Sequence, residues 1–97
     1  MLAAQLIPAI RRRLSQLDGD RGDPRRSGRR AAFWRAQQHA ARRGRTLDEL
    51  RRYCLDELAP RHLDEAHEND YLRGYREGLQ AVLAEIRSLE TRPRGRR

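Results

Sequence analysis

Hydrophobic positions in this chain recur at helical spacing in four places. Residues 2–17 carry Ile7, Ile10, Leu14 and Leu17 at 3-4-3 spacing beside Arg11, Arg12 and Arg13, which predicts an amphipathic helix. Pro8 fits near its start, where a missing N–H costs nothing. A second helix is predicted over 29–43, capped by Ser27 and stopped by Gly44. Its apolar face is poor: Ala32, Phe33, Ala36 and Ala40 line one side, Arg35 and Arg42 project from the other, and Trp34 sits about 100° from Phe33. A helix so basic and so weakly apolar is expected to dock on the rest of the protein or on a partner. Residues 18–28 between the two helices read as a loop, on turn chemistry and lack of apolar residues.

Thr46-Leu47-Asp48-Glu49 is a capping box and predicts a third helix to about Leu58. Leu47, Leu50, Cys54 and Leu58 share one face of it, opposite Asp48, Glu49, Arg52 and Asp56. Cys54 in the apolar stripe reads as a small buried hydrophobe. A long fourth helix is predicted over 63–90, with room for a break at Asn69-Asp70. Leu72, Tyr75, Leu79, Val82, Ile86 and Leu89 form a heptad seam on it, widened by Tyr71 and Leu83. Gly74 and Gly78 each cost about 1 kcal/mol relative to Ala inside a helix. At i,i+4 spacing they mark a face where another backbone approaches closely. The expected fold is all-α, with three to four helices and a long C-terminal amphipathic helix. Three heptads are the minimum for a coiled coil, so a helix packed within its own bundle is the alternative reading. A chain of 97 residues with so weak a second helix is expected to bury that seam by oligomerising or by docking on a partner.

Composition narrows the picture. The chain has 22 basic residues, all Arg, against 14 acids, for a net charge of +8. The absence of Lys, with a single Asn and a single Phe, points to a GC-rich gene rather than to a demand for Arg. The distribution says more than the sum. Residues 1–46 hold 12 Arg and 3 acids, residues 47–90 hold 6 Arg and 11 acids, and residues 91–97 hold 4 Arg and no acid. Three regions follow: basic helices with an Arg-rich loop over 1–45, an acidic helical module over 46–90, and a disordered basic tail over 91–97. No stretch approaches the ~20 apolar residues needed to cross a bilayer. A lone cysteine closes no internal disulfide. The expected location is the cytoplasm.

Tyr71-x-x-Gly74-Tyr75-x-x-Gly78-Leu79, followed by Ala81, Val82 and Leu83, is similar to a helix found in small helical proteins encoded by bacteriophages. The similarity covers about 15 of the 97 residues. It implies a phage or mobile-element origin, with host cytoplasm or virion as the setting, and supplies no catalytic residue.

Catalytic and metal chemistry find little support. His62 and His67 are spaced i,i+5, about 140° apart on a helix, whereas i,i+4 ligands share a face. Ser15, Ser27 and Ser88 lie in no nucleophile-elbow context, and no glycine loop cradles a phosphate. Arg21-Gly22-Asp23 matches an adhesion tripeptide, which chance explains in a chain rich in these residues. No enzyme, cofactor or metal is therefore expected. The stronger feature is the basic stripe of Arg25, Arg26, Arg29, Arg30, Arg35, Arg42, Arg43 and Arg45, with Trp34 beside it to stack a base. DNA or RNA is the polyanion this stripe suits, and self or another helical protein is the partner expected at the seam of Leu72, Gly74, Tyr75, Gly78, Leu79, Val82, Ile86 and Leu89. The sequence thus predicts a small assembly protein that associates through its last helix and contacts nucleic acid through Arg. The alternative is an adaptor or inhibitor whose Arg arms meet an acidic protein surface, and a third possibility is that these Arg pair with the chain's own acids.

Overall fold

The computed structural model describes residues 1–17, 22–59 and 69–91. A 3-10 turn over Ala3–Leu6 leads into α1 (Ile7–Gln16), followed by α2 (Pro24–Ala40), α3 (Leu47–Leu58) and α4 (Asp70–Glu90). The all-α expectation holds. Among the described residues there is no strand, only one isolated antiparallel bridge between Leu2 and Thr46. Around that bridge the Ala3 N–H donates to the Arg45 carbonyl at 2.9 Å and the Leu47 N–H to the Met1 carbonyl at 2.8 Å. The first residues are thereby fastened to the start of α3.

One helix start is read correctly from sequence, and a second falls at a break the sequence allows. Thr46 accepts from the Glu49 N–H at 3.1 Å while the Glu49 carboxylate accepts from the Thr46 N–H at 2.8 Å, so the reciprocal box is complete. Asn69 caps α4 by accepting from the Leu72 N–H at 2.9 Å, which places a helix start at the suspected break. The stretch 63–68, assigned to the same helix from sequence, lies outside the described residues, as do 92–97 of the basic tail. A third start differs from its expected position. α2 begins at Pro24, five residues early, with Asp23 accepting from the Arg25 N–H at 3.0 Å. Ser27 is therefore inside the helix rather than its cap. The physical reason is the Asp23-Pro24 pair: Asp satisfies an orphan N–H, and Pro at the first position has its φ already set for a helix.

That extra turn decides the packing. It brings Gly28 into a stripe with Ala32, Ala36 and Ala40, all buried. The stripe lies against Gly74, Gly78, Val82 and Ile86 of α4, also buried. A Cβ placed on Gly28 would stand 2.0 Å from the Tyr71 carbonyl oxygen, and one on Gly74 would stand 1.9 Å from the Arg25 carbonyl oxygen. The contact is reciprocal: each glycine receives the carbonyl three residues before the other. Such approach suits Cα–H···O contacts, which only a residue without a side chain allows. Further along, a Cβ on Gly78 would meet the Ala32 methyl at 2.6 Å. The meeting points advance in the same sense along both helices, so α2 and α4 run parallel as a central pair.

The sequence expects the α4 seam to be covered by a second chain or a partner; α2 covers much of it within this one. Gly74, Gly78, Leu79, Val82 and Ile86 are buried within the single chain, and Leu72, Tyr75 and Leu89 are partly buried beside them. The poor apolar face of α2 is the ground for that expectation. Its small residues are what make it a close partner, because interaxial distance shrinks where no side chain intervenes. Tyr71, assigned to the seam from sequence, is instead 41% exposed. α1 packs mainly on α2, and Ile10 and Leu17 of its stripe are buried. α3 packs mainly on α4 through Leu47, Leu50 and Cys54. Burial pushes the Cys54 thiol up to about 12, so it is a protonated core residue and no nucleophile at neutral pH.

Candidate nucleic-acid interface

Charge is segregated by helix. α1 and α2 contain eight Arg and no acid, whereas α3 and α4 contain eight acids and five Arg. The central pair therefore joins a basic helix to an acidic one. Where they touch, Glu77 of α4 sits between two guanidinium groups of α2. It accepts from Arg25 Nε at 3.0 Å and from Arg29 Nε at 3.0 Å, and it pairs with Arg25 Nη2 as well. Arg13 of α1 pairs with Glu85 at 2.7 Å, and Arg51 of α3 links Asp48 to Glu90. Internal pairing, the third possibility read from sequence, accounts for this part of the charge.

The expected basic stripe thus divides. Arg25 and Arg29 are engaged by Glu77. Arg35 lies over the Tyr75 ring at 5.7 Å, a cation–π contact that pins α2 to α4 a second time. Arg30 donates from Nη2 to the Leu17 carbonyl at 2.7 Å, tying α2 to the end of α1, and its other N–H donors remain. Arg42 and Arg43 are exposed in the turn after α2 and form no ion pair with a described residue. Arg45 sits nearer the acids, lining a hollow with His39, Asp48, Glu49, Arg52, Tyr53 and Asp56. Arg26 is partly buried and has a partner of its own. Sequence reasoning leaves Arg11 and Arg12 out of the stripe. Both are exposed on α1 without an ion pair to a described residue, and their place beside the Ile10–Leu14 stripe of an amphipathic helix is the signal that could have placed them there.

The two aromatic residues adjacent in sequence have opposite fates. Phe33 is 3% exposed and belongs to the core, whereas Trp34 is 53% exposed. Trp34, Tyr71, Leu14, Ala31, Ser27 and Arg30 line a shallow, open hollow of about 580 Å³ at the junction of α1, α2 and α4. Three other hollows, of about 450, 270 and 380 Å³, each include at least one carboxylate: Asp48, Glu49 and Asp56 in the first, Glu77 in the second, Asp48 and Glu90 in the third. Among the described residues the Trp34 hollow includes none.

Titration follows from these contacts. Hydrogen bonds from Arg25, with those of Arg29 behind them, hold the Glu77 carboxyl down to about 2 from an ordinary 4.5. The Thr46 N–H lowers Glu49 in the same way. His39 stacks on Tyr53 with centroids 4.2 Å apart, and desolvation, aided by Arg45 and Arg42, lowers its pKa below 6.5. All three groups bind protons less readily folded than unfolded. Their contribution is complete above the unfolded values and disappears as pH falls. The urea midpoint should decline in two stages, gently below pH 6.5 as His39 is forced to charge and steeply between pH 4.5 and 2 as Glu77 and Glu49 are protonated. Glu77→Gln should lower the midpoint at neutral pH and flatten the second stage. An unaltered acid limb in that variant would contradict the assignment.

Among the described residues no group of three His, Cys, Asp or Glu could hold a metal ion. His62 and His67, the pair weighed from sequence, lie outside the described residues. No helix among them is long and apolar enough to cross a membrane. Compared with protein-family models, with curated proteins and with solved structures, the chain matches none of them.

Proposed function

We propose that this chain is a non-enzymatic helical module that contacts nucleic acid through the face formed by α1 and the outer side of α2. The observation that carries this reading is the partition of the arginines. Arg25 and Arg29 share the Glu77 carboxylate, whereas Arg11, Arg12, Arg42 and Arg43 face solvent on acid-free elements and have no ion pair to a described residue. Exposed cations without a described counter-charge are what a phosphate backbone recruits, because binding releases its condensed counterions. The resemblance of the Tyr71–Leu79 run supports a phage origin, with a role in assembly rather than in catalysis.

The partition makes a discriminating prediction. Replacing Arg11, Arg12, Arg42 and Arg43 by Gln should weaken binding to a single strand at least tenfold and reduce the salt slope by roughly 0.7 for each phosphate no longer neutralised. Replacing Arg25 and Arg29 by Gln should change affinity less than about twofold, since those cations are already paired. Fluorescence anisotropy of a labelled oligonucleotide reads both. Equal weakening by the two sets would sink the partition. An acidic protein surface is the second reading, favoured by the Trp, Tyr and Arg composition of the hollow, which is that of protein-binding hot spots.

A further inference from the structure

We infer that the Trp34 hollow takes an unstacked nucleobase, so that the module prefers single-stranded over duplex nucleic acid. The inference rests on the reading above and deepens it. A phosphate-binding face alone does not distinguish a single strand from a duplex, because both display phosphates. The hollow supplies the distinction. Its volume of about 580 Å³ falls within the range of small-ligand sites, roughly 300–1,000 Å³. One side is the half-exposed Trp34 ring and another is Tyr71, with Leu14 and Ala31 completing an apolar lining. Base faces stack on such rings whatever the base, and in a duplex those faces are already covered by neighbouring pairs.

The charges around the hollow fit the same occupant. Arg30 borders it with donors left over after its bond to Leu17, and Ser27 adds a hydroxyl. Arg11 lies one turn before Leu14 on α1, on the same side of that helix at i,i+3 spacing. Among the described residues no carboxylate lines the hollow to repel a phosphate, in contrast to the three others described. An aromatic shelf flanked by cations matches the alternation of base and phosphate along a flexible strand. Trp34 contributes little to the fold from its half-exposed position, while its neighbour Phe33 is buried.

Trp34 is the only tryptophan in the chain, so its emission reports on the hollow directly. The full-length protein is titrated with an oligothymidine strand, with a mixed-sequence duplex of equal length, and with an acidic peptide of alternating Glu and Leu. The expected result is strong quenching by the single strand, and affinity for it about tenfold above that for the duplex. Trp34→Ala should abolish that preference and leave duplex affinity unchanged, while Trp34→Phe, which keeps a ring to stack on, restores most of it. Far-UV circular dichroism establishes that both variants are folded, and Tyr71→Ala provides a second route to the same effect. Equal binding of strand and duplex with an unquenched Trp34 overturns this inference and leaves the phosphate contact standing. Binding of neither nucleic acid overturns both. Quenching by the acidic peptide alone also overturns both and assigns the hollow to a protein.

Discussion

Gly74→Ala should destabilise the protein by about 3 kcal/mol, although the same change in an exposed helix would stabilise it by about 1 kcal/mol. The added methyl carbon would fall 1.9 Å from the Arg25 carbonyl oxygen, and that neighbour is backbone within a helix, which cannot rotate aside. Relief requires α2 and α4 to separate, and separation loosens Ala32, Ala36, Val82 and Ile86 along the whole interface. Gly28→Ala meets the Tyr71 carbonyl at 2.0 Å and should cost a similar amount. Gly78→Ala meets a methyl group at 2.6 Å and should cost less. The double variant of Gly28 and Gly74 should cost well under the sum of the two, because one displacement of the helices accommodates both methyls. Against a total stability of roughly 5–15 kcal/mol for a domain of this size, each of the first two changes is severe. Urea denaturation gives all four values. Strict additivity, or an unchanged midpoint for Gly74→Ala, would mean that the two helices do not meet at these glycines.

Phe33→Ala is expected to cost about 3–5 kcal/mol, the range for emptying a buried aromatic site. The neighbouring Trp34→Ala should cost about 1 kcal/mol or less, since half of that ring already faces solvent. The function should divide in the opposite direction. Under conditions where both variants are folded, Phe33→Ala should bind a single strand as the parent does, whereas Trp34→Ala should bind it no better than a duplex. Thermal melts followed by anisotropy titrations measure both properties on the same samples. If Phe33→Ala leaves the melt unchanged, that side chain is outside the core and the assignment of the two aromatics is wrong.

The same residues mark where the sequence is legible. The i,i+4 glycines of α4 announce a close backbone approach, and that approach exists. Its partner is hidden, because Gly28 lies in an Arg-rich stretch with no large apolar residue and reads as loop. Only the Asp23-Pro24 start, which competes with Ser27 as a cap, carries the helix back far enough to include it. The seam is likewise visible as a pattern, but its destination is not: a heptad says that a face will be covered, not by which chain. The Trp34 offset from Phe33 follows from the 100° step of a helix and predicts their different burial correctly. Tyr71 escapes the same reasoning because its carbonyl meets Gly28 while its side chain borders the open Trp34 hollow.

The basic stripe is the least legible feature. Proximity in sequence groups Arg25 and Arg29 with Arg42 and Arg43, but Glu77, 52 residues from Arg25, separates them chemically. Nothing local to either segment announces that pairing, since it depends on two parallel helices brought into register by glycines far from both charges. Fold and interface are thus one problem here. The packing of α2 on α4 also ties Arg25 and Arg29 to the Glu77 carboxylate and sets Arg35 over the Tyr75 ring.

The proposal that this face binds nucleic acid is tested most directly by the salt dependence of affinity for a labelled single strand. With three to five phosphate contacts, the logarithm of the association constant should fall linearly with the logarithm of salt concentration, with a slope of about −2 to −3.5 between roughly 50 and 200 mM. A slope near zero, or no binding at the low-salt end, would contradict it.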